Sequence, residues 1–301
     1  MHTYFEAIIE RCPALAPVRA AVVHPCDRLA LESVVAAAQS GTIVPVLVAN
    51  PQKLKSVALA AGIDIAAYEV VPAAHSHDAA ARAAQLARNG EVQMLVKGSL
   101  HSDELLHEIT RPDSGLHTER RLSHVYVMEM AGRTEPLLIS DAVVNIAPDL
   151  DDKRDIVQNA IDVARVLDIA EIRVALLSAV ETVNRKIPST IDAAALCKMA
   201  DRLQITGGVL DGPLALDDAI SSEAADEKGI VSAVAGRANV LIVPDFESGN
   251  MLAKALILLA KASAAGVVLG ARVPIVLTSR ADSVATRVAS AAIARLLCRP
   301  A

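Results

Sequence analysis

Hydroxyl, guanidinium and carboxylate groups follow one apolar run near the end of the sequence. Pro274–Thr278 reads as a strand that delivers Thr278, Ser279 and Arg280 to its end, and Asp282 or Ser283 then opens a helix. A helix N-terminus and an arginine fork both suit a phosphate group. The same residues could instead form a helix cap beside a surface arginine. The run therefore predicts an anion site or an ordinary cap.

A second polar group follows the apolar residues Ile242–Val243. Gly249 would allow another chain segment close to the backbone, and Asn250 and Lys254 are four residues apart on one helix face. An amide and an ammonium there could hold phosphate or a polar carbonyl. Alternatively, Ser248 caps this helix and Lys254 is solvated.

Three further turns place polar side chains after apolar runs. Lys97 and Ser99 follow one run, Asp211 follows another, and the pair Ser140–Asp141 leads to Asn145. Ligands of open α/β sheets bind at the carboxyl ends of strands. Five such turns are more than helix capping alone would explain, so we expect a shared binding function.

Short β-rich runs alternate with alanine-rich helical stretches. The strand Ala20–Val23 precedes a helix capped by Asp27, and the strand Ile43–Val48 precedes one capped by Asn50 with proline at its first position. This rhythm predicts an α/β protein whose parallel sheet is covered by helices on both faces.

The rhythm changes near Arg121–Met130, where two β-rich runs adjoin. We therefore predict two domains of α/β/α architecture, 1–135 with 271–301 and 136–270, with the active site in the cleft between them. A helix is predicted over Gly249–Ser263. The apolar run Ala255–Leu269 could bury a partner or form the second domain's own core.

Composition excludes several classes of protein. The 301 residues are 53% hydrophobic, enough for large cores, and 29 basic against 35 acidic residues give a net charge of −6. Without tryptophan or a basic block, nucleic acid is not an expected partner. The four cysteines are too widely spaced to predict a zinc site.

No segment reads as a membrane span. The most apolar stretch, Met251–Thr278, is interrupted by Lys254, Lys261 and Arg272. The N-terminal residues do not resemble a signal peptide. We expect no membrane association and a cytoplasmic location.

Six segments, in this order and spacing, resemble the phosphate acetyl/butyryl transferase family: Val96–Ser99, Ile139–Asn145, Asp211–Asp217, Ala235–Val240, Pro244–Asn250 and Leu277–Ser283. The segments Val23–Asp27 and Leu277–Ser283 look most like its butyryltransferase-type branch and the transferase half of enoyl-CoA-hydratase fusions.

The resemblance implies a two-domain fold like that of isocitrate and isopropylmalate dehydrogenases, and a homodimer. It implies that acyl-CoA and inorganic phosphate are the substrates, with no metal and no redox cofactor. The family's conserved Ser-Arg pair falls on Ser279 and Arg280. Acetyltransferase members carry a catalytic aspartate where this sequence has Thr286, which weakens an assignment of strict acetyl specificity.

The expected site has a catalytic and a substrate-binding group. Ser279, Arg280 and Asp282 are the expected catalytic residues, with Asp282 as the base in place of Thr286. The expected substrate-binding residues are Lys97, Ser99, Asn145, Asp211, Asn250, Lys254 and Thr278. The helix dipole should lower the pKa of Asp282 and weaken it as a base.

Two other functions remain open. One is a metal-dependent decarboxylating dehydrogenase of the same fold, although the sequence shows no convincing cluster of metal-binding aspartates. The other is an acyl-CoA-binding paralogue without turnover.

Overall fold

The computed structural model describes residues 3–279 and 282–298. The chain forms two compact units, 1–120 with 265–301 and 121–264. Both divisions fall earlier in the chain than predicted. The predicted boundary after residue 135 would separate two strands that pair antiparallel, Ser123–Glu129 and Leu137–Ser140.

The strands of the first unit are β1 (Arg19–Val23), β2 (Val44–Ala49), β3 (Glu69–Pro72), β4 (Met94–Lys97), β10 (Ser263–Leu269) and β11 (Ile275–Val276). Their sheet is mainly parallel, with strand order β3-β2-β1-β4-β11-β10 and one antiparallel pair, β10 with β11.

Helices follow most strands of this unit. They are α1 (Tyr4–Arg11), α2 (Arg28–Gln39), α3 (Pro51–Ala61), α4 (Ser76–Arg88), α5 (Ser102–Thr110) and α11 (Val284–Leu297). The predicted caps are confirmed, because the side chains of Asp27 and Asn50 accept backbone N–H groups at the starts of α2 and α3. These caps fix where the helices α2 and α3 begin.

The second unit has strand order β5-β6-β9-β7-β8, parallel except for β5 with β6. Its strands are β5 (Ser123–Glu129), β6 (Leu137–Ser140), β7 (Arg173–Leu177), β8 (Val209–Leu214) and β9 (Val240–Ile242). Its helices are α6 (Leu150–Val166), α7 (Pro188–Asp201), α8 (Leu216–Ile220), α9 (Ser222–Glu227) and α10 (Phe246–Leu258).

This alternation of strands and helices confirms the α/β class. The central strands are almost wholly buried, as expected when helices cover a parallel sheet. In the second unit, Met128, Ile139 and Leu241 belong to one continuous apolar cluster with residues of α8 to α10. The likeness to isocitrate dehydrogenase stays a prediction.

The predicted helix Gly249–Ser263 is wrong at both ends, because α10 covers Phe246–Leu258 and Ser263 begins β10. Most of β10 is buried, and the second half of the run Ala255–Leu269 therefore lies in a core. The exposed apolar side chains lie on and just after α10: Met251 is 65%, Leu258 64% and Leu259 83% exposed.

Within the described part of the chain, no helix is both long and apolar enough to cross a membrane. Over the same residues, no three histidine, cysteine or acidic side chains are grouped so that they could hold a metal ion.

Candidate active site

The carboxyl ends of β4 and β11 lie side by side in the first unit. The two strands are parallel, with Leu95 opposite Ile275 and Val96 opposite Val276. This register brings Lys97 and Thr278 to one edge of the sheet, where both are buried and line a narrow crevice of about 20 Å³ whose other walls are mainly apolar side chains of β1, α2 and α11. The structure thus brings these two predicted substrate-binding residues to the same edge, and their role in binding stays a prediction.

A tight turn follows Thr278. The Ser279 N–H donates to Asp282 Oδ2 at 2.6 Å, and the Asp282 N–H donates to the Ser279 carbonyl at 3.2 Å. The side chain of Ser279 is exposed. Arg280, the predicted phosphate ligand of this turn, lies outside the described residues. The turn thus presents an exposed hydroxyl, and its carboxyl group lies near enough to Lys97 to feel that charge.

Asp282 does not cap the helix that follows it. Ser283 is the N-cap of α11, and its Oγ accepts the Thr286 N–H at 3.1 Å. Burial raises the pKa of Asp282, against the opposing effects of the Ser279 N–H, Arg287 and Lys97. The expectation that the helix dipole would lower this pKa is wrong, because desolvation is the largest effect on this carboxyl.

Ser99 has a different environment from the one expected of a substrate ligand. Its Oγ donates to the His24 carbonyl at 2.7 Å and accepts the Cys26 N–H at 3.1 Å. The neighbouring Gly98 packs so closely that a Cβ atom would lie 2.5 Å from the Val23 carbonyl oxygen. Ser99 and Gly98 therefore fix the loop after β1 against the loop that follows Lys97 at the end of β4.

In the second unit, Asn145 is 3% exposed and has protein partners for its amide. Its Nδ2 donates to the Leu122 carbonyl at 2.7 Å and to Asp141 Oδ2 at 2.6 Å, and its Oδ1 accepts from Arg121 Nε at 2.8 Å. Asp141 also accepts the N–H groups of residues 143 to 145. These contacts support a role for Asn145 in shaping the loop after β6.

The start of α10 packs against that same loop. A Cβ atom at Gly249 would lie 2.9 Å from the Asp141 carbonyl oxygen, and Asn250 Nδ2 donates to the Ala142 carbonyl at 3.2 Å. Gly249 thus permits the close approach that the sequence suggested. Asp245, not Ser248, caps the helix.

The last two predicted ligands are Lys254 on α10 and Asp211 on β8. Lys254 is exposed on α10, on the helix face that also carries Met251 and Leu258. Asp211 is half-buried on β8, accepts the Gly212 N–H at 2.8 Å, and adds to the burial that raises the pKa of Cys197 to about 11. Neither contact indicates a ligand.

Residues 73–295 match the model of the family described as phosphate acetyl/butaryl transferase. The chain belongs to this family. It is 58% identical over 292 residues to the phosphate acetyltransferase of Rhizobium meliloti, covering 97% of this chain and 92% of the relative. It is 38% identical over 293 residues to the phosphate butyryltransferase of Clostridium acetobutylicum, covering 97% of each.

Solved structures agree with this family assignment. The branched-chain phosphotransacylase from Enterococcus faecalis has a TM-score of 0.80 at 28% identity, covering 94% of this chain and all of that one. A phosphotransacetylase from Streptococcus pyogenes, at 21% identity, has a TM-score of 0.83 and supports the fold. Of the two curated relatives compared, the acetyltransferase is the more similar, the reverse of the predicted butyryltransferase-type likeness.

Sequence reasoning missed Arg287 of α11. It is 6% exposed and lines the crevice with Lys97 and Thr278. A signal was present, because Arg287 and Arg295 are spaced by eight residues on the face of the helix that also carries the apolar Ala291. Basic residues on an otherwise apolar face indicate buried polar partners.

We predict that Asp282→Asn lowers turnover about tenfold to a hundredfold in acyl-CoA synthesis, the low range for loss of a general base. Its melting temperature at pH 7 should not fall. A carboxyl whose pKa is raised by folding stabilises the fold below its unfolded pKa, and that contribution is lost as the pH rises through the folded pKa. The amide avoids this ionisation cost and keeps an oxygen for the Ser279 N–H.

The matched control is Asp149→Asn at the N-cap of α6, where Asp149 Oδ1 accepts the Asp152 N–H at 2.9 Å. This variant should keep full turnover. Calorimetry and steady-state rates of both variants decide the matter. A lower melting temperature with intact turnover in Asp282→Asn would make Asp282 a purely structural residue.

Proposed function

We propose that this chain catalyses the reversible reaction of acyl-CoA with inorganic phosphate to give acyl phosphate and free CoA. The observation that carries the proposal is the 58% identity to a phosphate acetyltransferase across 97% of the chain. The cluster of Lys97, Thr278, Ser279 and Asp282 at one sheet edge supports it, since it combines a cation, hydroxyls and a carboxyl of raised pKa.

In the direction of acyl phosphate, a phosphate oxygen attacks the thioester carbonyl carbon, and the carbon–sulfur bond then breaks. Negative charge develops on the carbonyl oxygen and passes to the sulfur, so fixed donors should contribute most of the rate. We assign Lys97 and Arg280 to the phosphate or acyl-phosphate group. The hydroxyls of Ser279 and Thr278 serve as donors to the oxyanion or the leaving sulfur.

Asp282 is assigned to the proton of the CoA thiol. As a carboxylate it removes this proton in the direction of acyl-CoA synthesis, and as a carboxylic acid it returns the proton to the departing thiolate in the other direction. Burial raises the pKa of this carboxyl, which makes it a stronger base and helps it to hold the proton that it returns. Thr286 cannot take this role, because a hydroxyl is too weak a base near neutral pH.

In the second unit, we retain Asn250 as a ligand of the phosphate side. Lys254 and Asp211 are proposed as more peripheral contacts of the substrate. Ser99 and Asn145 act through the loops that they hold, because their polar atoms are engaged by protein groups.

Acyl-CoA and phosphate are both substrates in this proposal, and the group transfer between them calls for no redox cofactor or metal. We place the protein in the cytoplasm. Its four cysteines lie unpaired, as in a reducing compartment.

The purified protein should release CoA from short acyl-CoA thioesters only when phosphate or arsenate is present. The physical reason is that the acyl carbonyl is attacked by the anion and not by water or an enzyme nucleophile. A thiol-reactive dye with thioesters of two to six carbons measures this. Phosphate-independent release would contradict the mechanism. Binding of acyl-CoA without release would identify a non-catalytic paralogue, and metal-dependent reduction of NAD(P) would support the dehydrogenase alternative.

The protein should be a homodimer that uses the exposed apolar end of α10. Leu258 and Leu259 adjoin there, 64% and 83% exposed, and a monomer seldom exposes adjacent large apolar side chains without a partner. We expect Leu258→Glu to shift the sedimentation of the protein from dimer to monomer at micromolar concentration. The matched control is Leu59→Glu on α3, because Leu59 is 85% exposed and belongs to the first unit. A wild-type monomer, or equal effects of the two variants, would contradict this interface.

A further inference from the structure

Arg287 is a buried cation that donates to two backbone carbonyl groups of the described part of the chain. Its side chain is 6% exposed, and its guanidinium donates from Nη2 to the Ser279 carbonyl at 2.9 Å and from Nε to the Asp282 carbonyl at 3.3 Å. The two acceptors are the residues at either end of the turn that carries the proposed catalytic groups. A guanidinium loses much hydration on burial, so each of these hydrogen bonds matters.

We propose that Arg287 is a positioning residue for acyl transfer, which fixes the backbone of Ser279 and Asp282 at the spacing that the reaction needs. This inference rests on the proposed function. Arg287 does not need to touch the substrate. Its rigid guanidinium group donates hydrogen bonds to Ser279 and Asp282 at once, and its backbone is held in helix α11.

The position of Arg287 also gives it an electrostatic effect on Asp282. Among the residues that the structure describes, the cationic side chains that act on this carboxyl are Lys97 at the end of β4 and Arg287 on α11, and both favour its ionised form. Without the charge of Arg287, the pKa of Asp282 would rise further. The base form would then be lost at a higher pH, so the acid limb of the rate profile should move upward.

The ordinary alternative is a structural tie between a helix and a loop. Arg295 shows what such a tie looks like: it lies on the same helix, is 5% exposed, and donates to the Ala16 carbonyl. Ala16 belongs to the segment before β1 and not to the Ser279–Asp282 turn. Arg295 is therefore a control matched in helix, burial and type of acceptor.

The test compares Arg287→Gln, Arg287→Lys and Arg295→Gln in the full-length protein. The measurements are melting temperature, kcat and KM for acetyl-CoA and phosphate, and the pH dependence of kcat. We expect Arg287→Gln to lower kcat about tenfold to a hundredfold, the scale for a misplaced catalytic group, with KM for acetyl-CoA changed less than about threefold. Its acid limb should move to higher pH.

Arg287→Lys keeps the charge but loses the fork, so it should restore the acid limb and only part of kcat. Arg295→Gln should lower the melting temperature while its kcat and acid limb stay those of the wild type. If Arg287→Gln is unfolded at the assay temperature, Arg287→Lys replaces it in the test. This variant should still be folded in the assay and should show a reduced kcat.

Two results have different meanings. A wild-type protein without phosphate-dependent CoA release would overturn the proposed function and this role with it. An active wild type in which Arg287→Gln or Arg287→Lys behaves like Arg295→Gln, with unchanged kcat and acid limb, would overturn the role of Arg287 alone.

Discussion

The parallel pairing of β4 with β11 is the constraint on which the proposed chemistry depends. It sets Lys97 beside Thr278 at one edge of the first unit's sheet, and the chain then turns immediately through Ser279 and Asp282. Lysine is seldom buried without compensation. Here the charge of Lys97 favours the ionised form of the Asp282 carboxyl, whose pKa is raised by burial. A cation and a carboxyl held in this way suit a reaction in which negative charge develops on the substrate and one proton is transferred to or from the CoA sulfur.

The supporting contacts are made mainly by backbone groups and small residues. Gly98 and Ser99 hold the loop after β1, and in the second unit Gly249 and Asn145 hold the loop after β6. In each unit a polar side chain donates a hydrogen bond to a backbone carbonyl of another segment and so holds the neighbouring loop in place. Pre-organisation of this kind costs no rearrangement at the moment of reaction.

The order of elements was predictable because capping residues and β-rich runs are local signals. Asp27 and Asn50 cap helices as expected, and the strand before Thr278 was recognised from its apolar residues. The strand Ser263–Leu269 was not recognised, because its alanines continue the composition of the helix before it. Its strand conformation depends on pairing with β11, which is a tertiary contact.

The site was predictable in part for a similar reason. Residue type and position identified the polar side chains at strand ends, but not their partners. Ser99 and Asn145 bond backbone carbonyls that are distant in sequence, His24 and Leu122, and no local pattern reveals such contacts. The pKa of Asp282 was predicted with the wrong sign, since burial is a property of the folded chain.

The central claim is that Lys97 and Asp282 act in one site. The most direct test is a double-mutant cycle with Lys97→Gln, Asp282→Asn and the combined variant, measured as kcat/KM for phosphate-dependent CoA release. Residues that act as a unit are non-additive, so the combined variant should lose less than the product of the single losses, by a coupling of at least about 1 kcal/mol. If the free-energy losses of the single variants add up to that of the combined variant within about 0.5 kcal/mol, the two residues act independently, which contradicts the claim.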